Sequence, residues 1–251
     1  MYALITGASS GIGRELALLL ARKGYNLILV ARREDRLLQV KNKLEQSLSI
    51  KVSIESIDLS SEENCKALIE KYDAYPIEIL INNAGFGNVG FVSNQHIDTN
   101  LNMVKTNVIA PLIFTSWFCQ TRNHGAILNV SSIAAFTTPP LFATYGATKS
   151  FLYSFGTATN FELKKMRKDI HITTLCPGSV ATEFYRNNQK QSKLCVLSAR
   201  ECAKIALEGL EKKKELVIPT VSMKGTYLFT RFLPHSVMLR IQFFLQKKKL
   251  Q

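Results

Sequence analysis

Short apolar runs alternate with helical segments along most of this chain. The apolar runs lie at residues 2–6, 25–30, 52–57, 77–81, 125–130, 170–175 and 215–218. Helix-forming sequence fills most of the intervals, as at residues 34–48, where leucines recur with helical spacing. Strands that alternate with helices form a parallel sheet, because each crossover connection starts the next strand at the same edge. We therefore predict an α/β protein with one doubly wound parallel sheet and helices on both faces.

The composition agrees with a single globular domain. The chain has 251 residues, of which 46% are hydrophobic and 20% are charged, which is typical of a folded domain with a substantial core. An apolar strand directly follows Met1, and no secretory signal or long apolar span is evident, so we expect a cytoplasmic protein without a transmembrane helix. The five cysteines form no Cys-x-x-Cys pair, which predicts free thiols and no metal site.

A glycine-rich turn joins the first apolar run to the first helical segment. It reads Thr6-Gly7-Ala8-Ser9-Ser10-Gly11-Ile12-Gly13. Glycines let the backbone approach a pyrophosphate closely, and the helix that follows offers free N–H groups and the positive end of its dipole. A tight turn that needs glycine only for its dihedral angles would have the same sequence. The strand before the turn and the helix after it favour nucleotide binding.

The second apolar run ends in Ala31-Arg32-Arg33. A carboxylate near this position binds the ribose 2′-hydroxyl of NAD, whereas arginine accommodates the 2′-phosphate of NADP. The acids Glu34 and Asp35 come only where the next helix begins. The pair therefore favours NADP over NAD, although two solvated arginines at a strand end would look the same.

Tyr145 and Lys149 lie four residues apart in a predicted helix, so they share one face of it. Tyrosine has an ordinary pKa near ~10, and a nearby ammonium lowers it. Such a tyrosine can exchange a proton with a carbonyl or alcohol oxygen near neutral pH. An exposed helix face without chemistry also explains the pair. Asn107 lies in a long predicted helix at residues 98–122. It is a structural group there, or it holds a water or bends the helix at a site.

These motifs resemble those of the short-chain dehydrogenase/reductase family over residues 1–220. The matching pieces are the glycine turn, Asp58, Asn82-Asn83-Ala84-Gly85, Asn107, Ser132, Tyr145-x-x-x-Lys149 and Pro177-Gly178 with Thr182. Their order and separations match the family's. The resemblance implies an NADP-preferring oxidoreductase on a single-domain Rossmann fold, similar to the hydroxysteroid and 3-ketoacyl reductase branch.

The resemblance also implies the roles of four catalytic residues. Tyr145 would be the general acid in reduction and the base in oxidation, and Lys149 would lower its pKa and bind the nicotinamide ribose. Ser132 would donate a hydrogen bond to the substrate oxygen, and Asn107 would hold a water for proton exchange by Lys149. Ser132 is preferred to Ser131 because thirteen residues separate it from Tyr145.

The implied cofactor is NADP(H). The residues implied to contact it are Gly7, Ser9, Ser10, Gly11, Ile12, Gly13, Arg32, Arg33, Asp58, Leu59, Asn83, Ala84, Gly85, Tyr145, Lys149, Pro177, Gly178, Val180 and Thr182. Among these, Arg32 is the first choice for the 2′-phosphate, Asp58 for the adenine and Thr182 for the nicotinamide carboxamide. Asn82 is expected on the adenosine side.

Apolar residues dominate the segments that form the substrate pocket in this family. They are Phe86, Phe91, Phe136, Leu141, Phe142, Phe184 and Tyr185. They predict an apolar or amphipathic ketone or secondary alcohol, unless several of them pack into the core. The substrate loop is expected at residues 179–198, and its polar part at residues 187–193 is expected to act as a lid.

Positive charge is concentrated in the last quarter of the chain. The net charge is +13, and residues 186–251 hold fourteen Lys and Arg against four Glu. Residues 221–251 form a predicted basic extension, in which Val237, Met238, Ile241, Phe244 and Leu245 share one helical face. Such a helix can pack on a partner copy, cap the substrate cleft or lie on an anionic membrane. We expect no nucleic-acid binding, because the positive charge is the only feature of the sequence that would support it.

The sequence thus predicts NADPH-dependent interconversion of a ketone and a secondary alcohol, by a homo-oligomer acting on a lipophilic or acyl substrate. One alternative is a 3-oxoacyl-thioester reductase whose basic C-terminal region meets an acyl carrier protein or CoA. A second alternative is a non-catalytic NADP-binding regulator. Ser132, Tyr145 and Lys149 together weigh against the regulator, since binding alone requires none of them.

Overall fold

The computed structural model describes residues 1–185 and 197–247. Its main sheet has seven parallel strands in the order β3-β2-β1-β4-β5-β6-β9, and β7 and β8 pair separately. The strands are β1 (Tyr2–Thr6), β2 (Asn26–Ala31), β3 (Val52–Ser56), β4 (Ile77–Asn82), β5 (His124–Val130), β6 (Asp169–Leu175), β7 (Val180–Ala181), β8 (Leu197–Ser198) and β9 (Leu216–Val217). The predicted doubly wound parallel sheet is confirmed.

Helices cover both faces of the sheet. They are α1 (Gly11–Arg22), α2 (Glu34–Ser47), α3 (Glu62–Tyr72), α4 (Ile97–Val104), α5 (Ala110–Thr121), α6 (Ala134–Thr137), α7 (Ala143–Lys165), α8 (Ala199–Glu211), α9 (Val221–Phe232) and α10 (His235–Lys247). Ser61 caps α3 by accepting a hydrogen bond from the Asn64 backbone N–H. A capping box of Ser198 and Glu201 begins α8.

Alternate residues of the strands serve two separate apolar cores. Ala3 and Ile5 face the core built with α1, α2 and α8, whereas Leu4 faces the core built with α3, α5 and α7. This alternation follows from the two-residue period of a strand. Because both faces are covered, the central strands β1, β2 and β4 are mainly apolar, as the sequence predicted.

The strand order reverses between β1 and β4, and the crevice for a ligand in such sheets lies at this point. The Thr6 hydroxyl fixes the two strand ends to each other. Its Oγ1 donates to the Ile81 carbonyl at 3.1 Å and accepts from the backbone N–H groups of Asn83 at 2.9 Å and Ala84 at 3.0 Å. The glycine turn and the segment after β4 are therefore held together.

The long helix predicted at residues 98–122 is interrupted. Residues 105–109 form a π-helical turn between α4 and α5. Pro111 has no N–H for the carbonyl of Asn107 four residues earlier, so the regular α-helical ladder cannot continue there. Single π turns of this kind occur frequently at functional sites.

Two C-terminal helices pack against the chain's own domain. A Cβ added to Gly178 would lie 2.7 Å from Met223 Sδ of α9. Tyr227 of the same helix packs edge-on against Phe136 with ring centroids 4.7 Å apart, and Phe243 of α10 lies 6.3 Å from Phe91. The helix predicted after Pro234 is present as α10, but α9 was not predicted. The contacts show that α9 packs beside Gly178. The outer surface of these helices could still contact a membrane or a partner copy.

Candidate active site

The glycine turn has a backbone that requires glycine. Gly7 and Gly11 have φ values of +68° and +55°, which L-residues with a Cβ rarely adopt. A Cβ on Gly7 would also lie 2.6 Å from Asn83 Nδ2. That amide nitrogen donates to the carbonyls of Thr6 at 2.9 Å and Gly7 at 3.1 Å, so the Asn83 side chain holds the turn in its conformation.

The turn fits the phosphates of a dinucleotide. Helix α1 begins at Gly11, its first turn contains no acidic residue, and the Ser10 side chain does not cap it. The N–H groups and dipole at this end are therefore not neutralised by the helix itself, which favours a bound anion. A Cβ on Gly11 would lie 3.0 Å from Thr182 Cγ2, so the segment after β7 faces the turn.

Arg33, rather than Arg32, reaches the glycine turn. Its Nη2 donates to Ser9 Oγ at 3.1 Å and to Ser10 Oγ at 2.8 Å. Its Nη1 forms an ion pair with Glu183 Oε2 at 2.7 Å. Arg32 is exposed, and its backbone carbonyl accepts a hydrogen bond from Ser56 at 3.2 Å. Of the two arginines predicted to bind the 2′-phosphate, Arg33 is therefore the one that lies at Ser9 and Ser10, and a contact of Arg32 with the cofactor stays a prediction.

Sequence reasoning missed Glu183 because a single acid after Thr182 has no distinctive pattern. Its contact with Arg33 joins residues 150 positions apart. The pair connects the end of β2 with the segment that follows β7. It consequently spans the crevice between the two sides of the predicted cofactor site.

The residues predicted on the adenosine side of the cofactor differ in their exposure. Asp58 is exposed, and its Oδ1 accepts from the Ser60 N–H at 3.0 Å. Leu59 is buried in the core beneath it, which leaves only its backbone for a cofactor contact. The Asn82 side chain is also buried, and its Nδ2 donates to Thr115 and Asn129. These bonds connect β4 with α5 and β5, and the expected contact of Asn82 with the adenosine stays a prediction.

Tyr145 lies in an aromatic enclosure on α7. Its ring stacks on Phe142 with centroids 4.3 Å apart and an interplanar angle of 22°, and Phe184 lies 5.4 Å away. A Cβ on Gly87 would come within 2.8 Å of Tyr145 Cδ2, so only glycine allows the backbone to cross the ring there. Tyr145 is 7% exposed, so its ring is almost entirely enclosed.

Lys149 is buried beside that ring. Its Nζ lies 5.6 Å from the Tyr145 ring centroid and donates to the Val130 carbonyl at 2.8 Å. Burial disfavours the ammonium and lowers the Lys149 pKa from 10.5 to about 8. A Cβ on Gly85 would lie 3.4 Å from Nζ, so the glycine after β4 leaves room for this side chain. A buried lysine with a perturbed pKa in a crevice is a candidate functional group.

The two serines after β5 have different environments. Ser131 is buried, and its Oγ donates to the Lys149 carbonyl at 2.7 Å. Ser132 is partly exposed, and its Oγ accepts from the Ala134 N–H at 3.2 Å, which leaves its proton for another acceptor. The geometry supports the choice of Ser132 as the group that faces a substrate.

Asn107 fixes the segment after β4 to α7. Its Oδ1 accepts from the Phe86 N–H at 3.1 Å, and its Nδ2 donates to the Phe86 carbonyl at 2.9 Å and to Thr148 Oγ1 at 3.1 Å. The side chain is thus engaged on all sides with protein groups. The water-holding role stays a prediction. The group available for it is the Asn107 backbone carbonyl, because Pro111 has no N–H to donate to it.

The seven predicted apolar pocket residues do not all lie in one place. Phe86, Phe142 and Phe184 cluster with Tyr145. Phe136 and Phe91 instead contact the C-terminal helices, and Leu141 is buried in a left-handed conformation at φ +64°. The Tyr185 side chain and the proposed lid at residues 187–193 lie outside the described residues. The structure therefore brings three of the seven to the tyrosine.

The glycine turn at the switch point and the Tyr145–Lys149 pair together define a dinucleotide-binding α/β protein with a group for proton transfer. The family model described as short chain dehydrogenase matches residues 1–193. The chain belongs to the short-chain dehydrogenase family.

The curated relatives that this chain matches include reductases and dehydrogenases. The very-long-chain 3-oxoacyl-CoA reductase of Vanderwaltozyma polyspora is 33% identical over 185 residues, which are 68% of this chain and 53% of the reductase. The mouse 17-beta-hydroxysteroid dehydrogenase type 3 is 31% identical over 218 residues, which are 84% of this chain and 70% of the mouse protein. The chain spans about half the length of the yeast 3-oxoacyl-CoA reductases that it matches.

Solved structures share the fold closely. A short-chain dehydrogenase from Sphingobium yanoikuyae in complex with NADPH has a TM-score of 0.82 and 28% identity, with 93% of this chain and 96% of that chain covered. The bulky-bulky ketone specific alcohol dehydrogenase from Comamonas testosteroni has a TM-score of 0.78 and 29% identity, with 92% and 91% covered. Within residues 1–185 and 197–247, no helix is both long enough and apolar enough to cross a membrane.

Proposed function

We propose that this chain is an NADP(H)-dependent oxidoreductase that interconverts a ketone and a secondary alcohol. The observation that carries the proposal is the buried Lys149 ammonium 5.6 Å from the Tyr145 ring centroid, at the same edge of the sheet as the glycine turn. A lysine is costly to bury, and a binding protein gains nothing from one against a tyrosine. The buried lysine therefore favours an enzyme over a non-catalytic regulator.

The cofactor would be held by the glycine turn, the N-terminus of α1 and the segment after Pro177. When bound, NADP(H) supplies or accepts the hydride. Gly7, Gly11 and Gly13 would let the turn approach the pyrophosphate. Thr182, whose methyl group faces Gly11, would approach the nicotinamide end. Lys149 would bind the nicotinamide ribose.

Tyr145 would move the proton. As negative charge develops on the substrate oxygen, the Tyr145 hydroxyl and the Ser132 hydroxyl would donate hydrogen bonds to it. Tyr145 would then transfer its proton, and the Lys149 ammonium would stabilise the resulting phenolate. The aromatic enclosure of Phe142 and Phe184 lowers the local dielectric, which strengthens both effects.

The aromatic residues around Tyr145 favour a lipophilic substrate. Phe86, Phe142 and Phe184 pack in one apolar cluster with Tyr145. The names of the curated relatives include both steroid dehydrogenases and 3-oxoacyl-CoA reductases, so a 3-oxoacyl thioester is the alternative substrate class. The test is oxidation of NADPH in the presence of a panel of lipophilic ketones and 3-oxoacyl thioesters. Turnover of neither class would contradict the proposal.

We also propose that the chain forms a homo-oligomer through α4. Ile97, Leu101 and Val104 are exposed at 64%, 49% and 36% and share one helical face. Asp98 and Lys105 supply both signs of charge nearby, so two copies related by a two-fold axis would be complementary. A molar mass of one chain, 28.2 kDa, measured by light scattering would contradict this.

Glu183 is expected to compete with the 2′-phosphate for Arg33. Glu183→Gln removes the charge and keeps the shape of the side chain. Since an exposed ion pair contributes at most ~1 kcal/mol, we expect NADPH to bind up to about fivefold more tightly, with NADH affinity unchanged.

Arg33→Ala is expected to weaken NADPH binding by roughly 10- to 100-fold, because charge-assisted hydrogen bonds to phosphate are lost.

The measurement is a fluorescence titration of each variant with NADPH and with NADH. Glu70→Gln is the matched control, because Glu70 is an exposed acid on α3. Equal tightening of NADPH and NADH by Glu183→Gln would show that the carboxylate acts on the shared part of the cofactor. No change for either would show that the Arg33–Glu183 ion pair does not oppose binding.

A further inference from the structure

Helix α10 buries two glutamines and exposes an apolar face. Met238, Gln242 and Gln246 are its buried residues, and Gln246 Oε1 has no hydrogen-bond partner among the described residues. Val237, Ile241 and Phe244, which share the neighbouring face, are exposed at 40%, 42% and 67%. Packing within this domain does not explain such an orientation, because a buried unsatisfied polar atom destabilises the fold.

Helix α9 exposes a second apolar stripe. Val221, Leu228, Phe229 and Phe232 are exposed at 83%, 55%, 64% and 82%, and their spacing of seven, eight and eleven residues from Val221 puts them on one face. No residue of this helix is buried. The two consecutive helices thus present four large apolar residues each, when the half-exposed Leu245 is counted with α10.

Cations flank both stripes, and acids are absent. Lys224 and Arg231 lie one turn before and after Leu228, and Arg240 and Lys247 lie one turn before and after Phe244. The sequence contains no Asp or Glu after Glu215. The outer stripe of each helix is therefore apolar in its centre and has cations one turn away on either side.

We propose that this face of α9 and α10 docks on an anionic lipid surface. Helices with an apolar stripe between cations lie in the plane of the headgroups and bury the stripe among the acyl chains. Neither helix is long and apolar enough to span a membrane, so the contact is peripheral. Two copies of this face would juxtapose cations with cations without a single carboxylate, so a second copy of the chain is the poorer occupant.

Docking in this way would orient the candidate active site toward the lipid. Met223 packs beside Gly178, and Tyr227 packs on Phe136, on the inner side of the same helix that exposes Phe229 and Phe232. The inner side of α9 thus covers the substrate side of the domain, while its outer side meets the bilayer. A lipophilic substrate dissolved in the bilayer would therefore be close to the site.

The test is flotation of the full chain with vesicles of phosphatidylcholine alone and of phosphatidylcholine mixed with phosphatidylglycerol. We expect binding to the anionic vesicles that weakens with salt, and little binding to the neutral ones. The double variant Phe232→Gln with Phe244→Gln is expected to weaken binding at least about tenfold, because it removes two large apolar side chains from the lipid contact. Lys224→Gln with Arg231→Gln is expected to weaken binding to anionic vesicles roughly tenfold or more.

Phe161→Gln is the matched control, because Phe161 is 61% exposed on α7 and lies outside the docking face. Circular dichroism of each variant checks that the fold is retained. Absence of binding to anionic vesicles, or equal loss in Phe161→Gln, would overturn the proposal. If the double variant instead changed the molar mass in light scattering and left vesicle binding intact, the occupant would be a second copy. Equal binding to both vesicle types would exclude a role for the cations.

Discussion

Replacing Tyr145 with phenylalanine is expected to lower kcat for NADPH-dependent ketone reduction by about 10²- to 10⁴-fold, the usual contribution of a positioned general acid. The change removes one oxygen and leaves the ring stacked on Phe142, whose centroid lies 4.3 Å away. NADPH affinity should therefore change little, since the glycine turn and Arg33 are untouched. The measurement combines steady-state kinetics on an active ketone or thioester with a fluorescence titration of NADPH.

Tyr153→Phe is the matched control for this experiment. Tyr153 lies on the same helix, α7, two turns after Tyr145, and its ring packs edge-on against Phe136. The same chemical change at this position should leave kcat within about twofold, because the hydroxyl takes no part in the reaction. If Tyr145→Phe retained the turnover of the unmodified chain, another group would supply the proton and the proposed mechanism would be wrong.

Replacing Lys149 with methionine is expected to reduce activity while making the fold more stable. The folded-state pKa of about 8, against an ordinary 10.5, means that burying the ammonium costs about 3 kcal/mol at neutral pH. Methionine removes that cost, although the Val130 carbonyl loses its donor, which offsets roughly 1–2 kcal/mol of the gain. We expect a net gain on the order of 1 kcal/mol at pH 7, or about 2–4 °C in Tm. Turnover should fall by about 10²-fold or more, because the phenolate loses its counter-charge.

The sign of the pH dependence follows from the lowered pKa. Between pH about 8 and 10.5 the folded state binds fewer protons at Lys149 than the unfolded state, so the stability contributed by this group rises with pH. The stability advantage of Lys149→Met should therefore be largest below pH 8 and disappear near pH 10.5. Thermal unfolding across this range measures it. Lys165→Met, an exposed lysine on the same helix, is the control and should show no such trend.

The same titration should appear in the kinetics of ketone reduction. As pH rises through about 8, the Lys149 ammonium loses its proton, and the charge that stabilises the Tyr145 phenolate disappears. We expect kcat/KM for reduction to fall above this pH in the unmodified chain. A profile that is flat up to pH 10 would separate Lys149 from the reaction.

Much of the fold was predictable because its signals are local. The apolar runs that became β1 to β6 were recognised within one or two residues of their ends, since strands buried on both faces are continuously apolar. The glycine turn was recognisable because the strand before it and the helix after it are adjacent in the chain. Helix α9 was missed, because its apolar residues are interrupted by Gly225 and threonines that lower helix propensity. The sequence allowed a bend at Asn107, and Pro111 four residues later was the signal that could have placed the π turn there.

The sequence by itself determined that Tyr145 and Lys149 share a helix face, that a glycine turn precedes α1 and that two arginines follow β2. Each of these depends on residues within a few positions of one another. Only the tertiary structure decided that Arg33 reaches Ser9 and Ser10, that Ser131 is buried while Ser132 is open, and that Lys149 is buried enough to lower its pKa. It also decided which face of α10 is exposed. Burial and partner choice arise from contacts between distant segments, as between Arg33 and Glu183, and the period of a helix or strand carries no information about them.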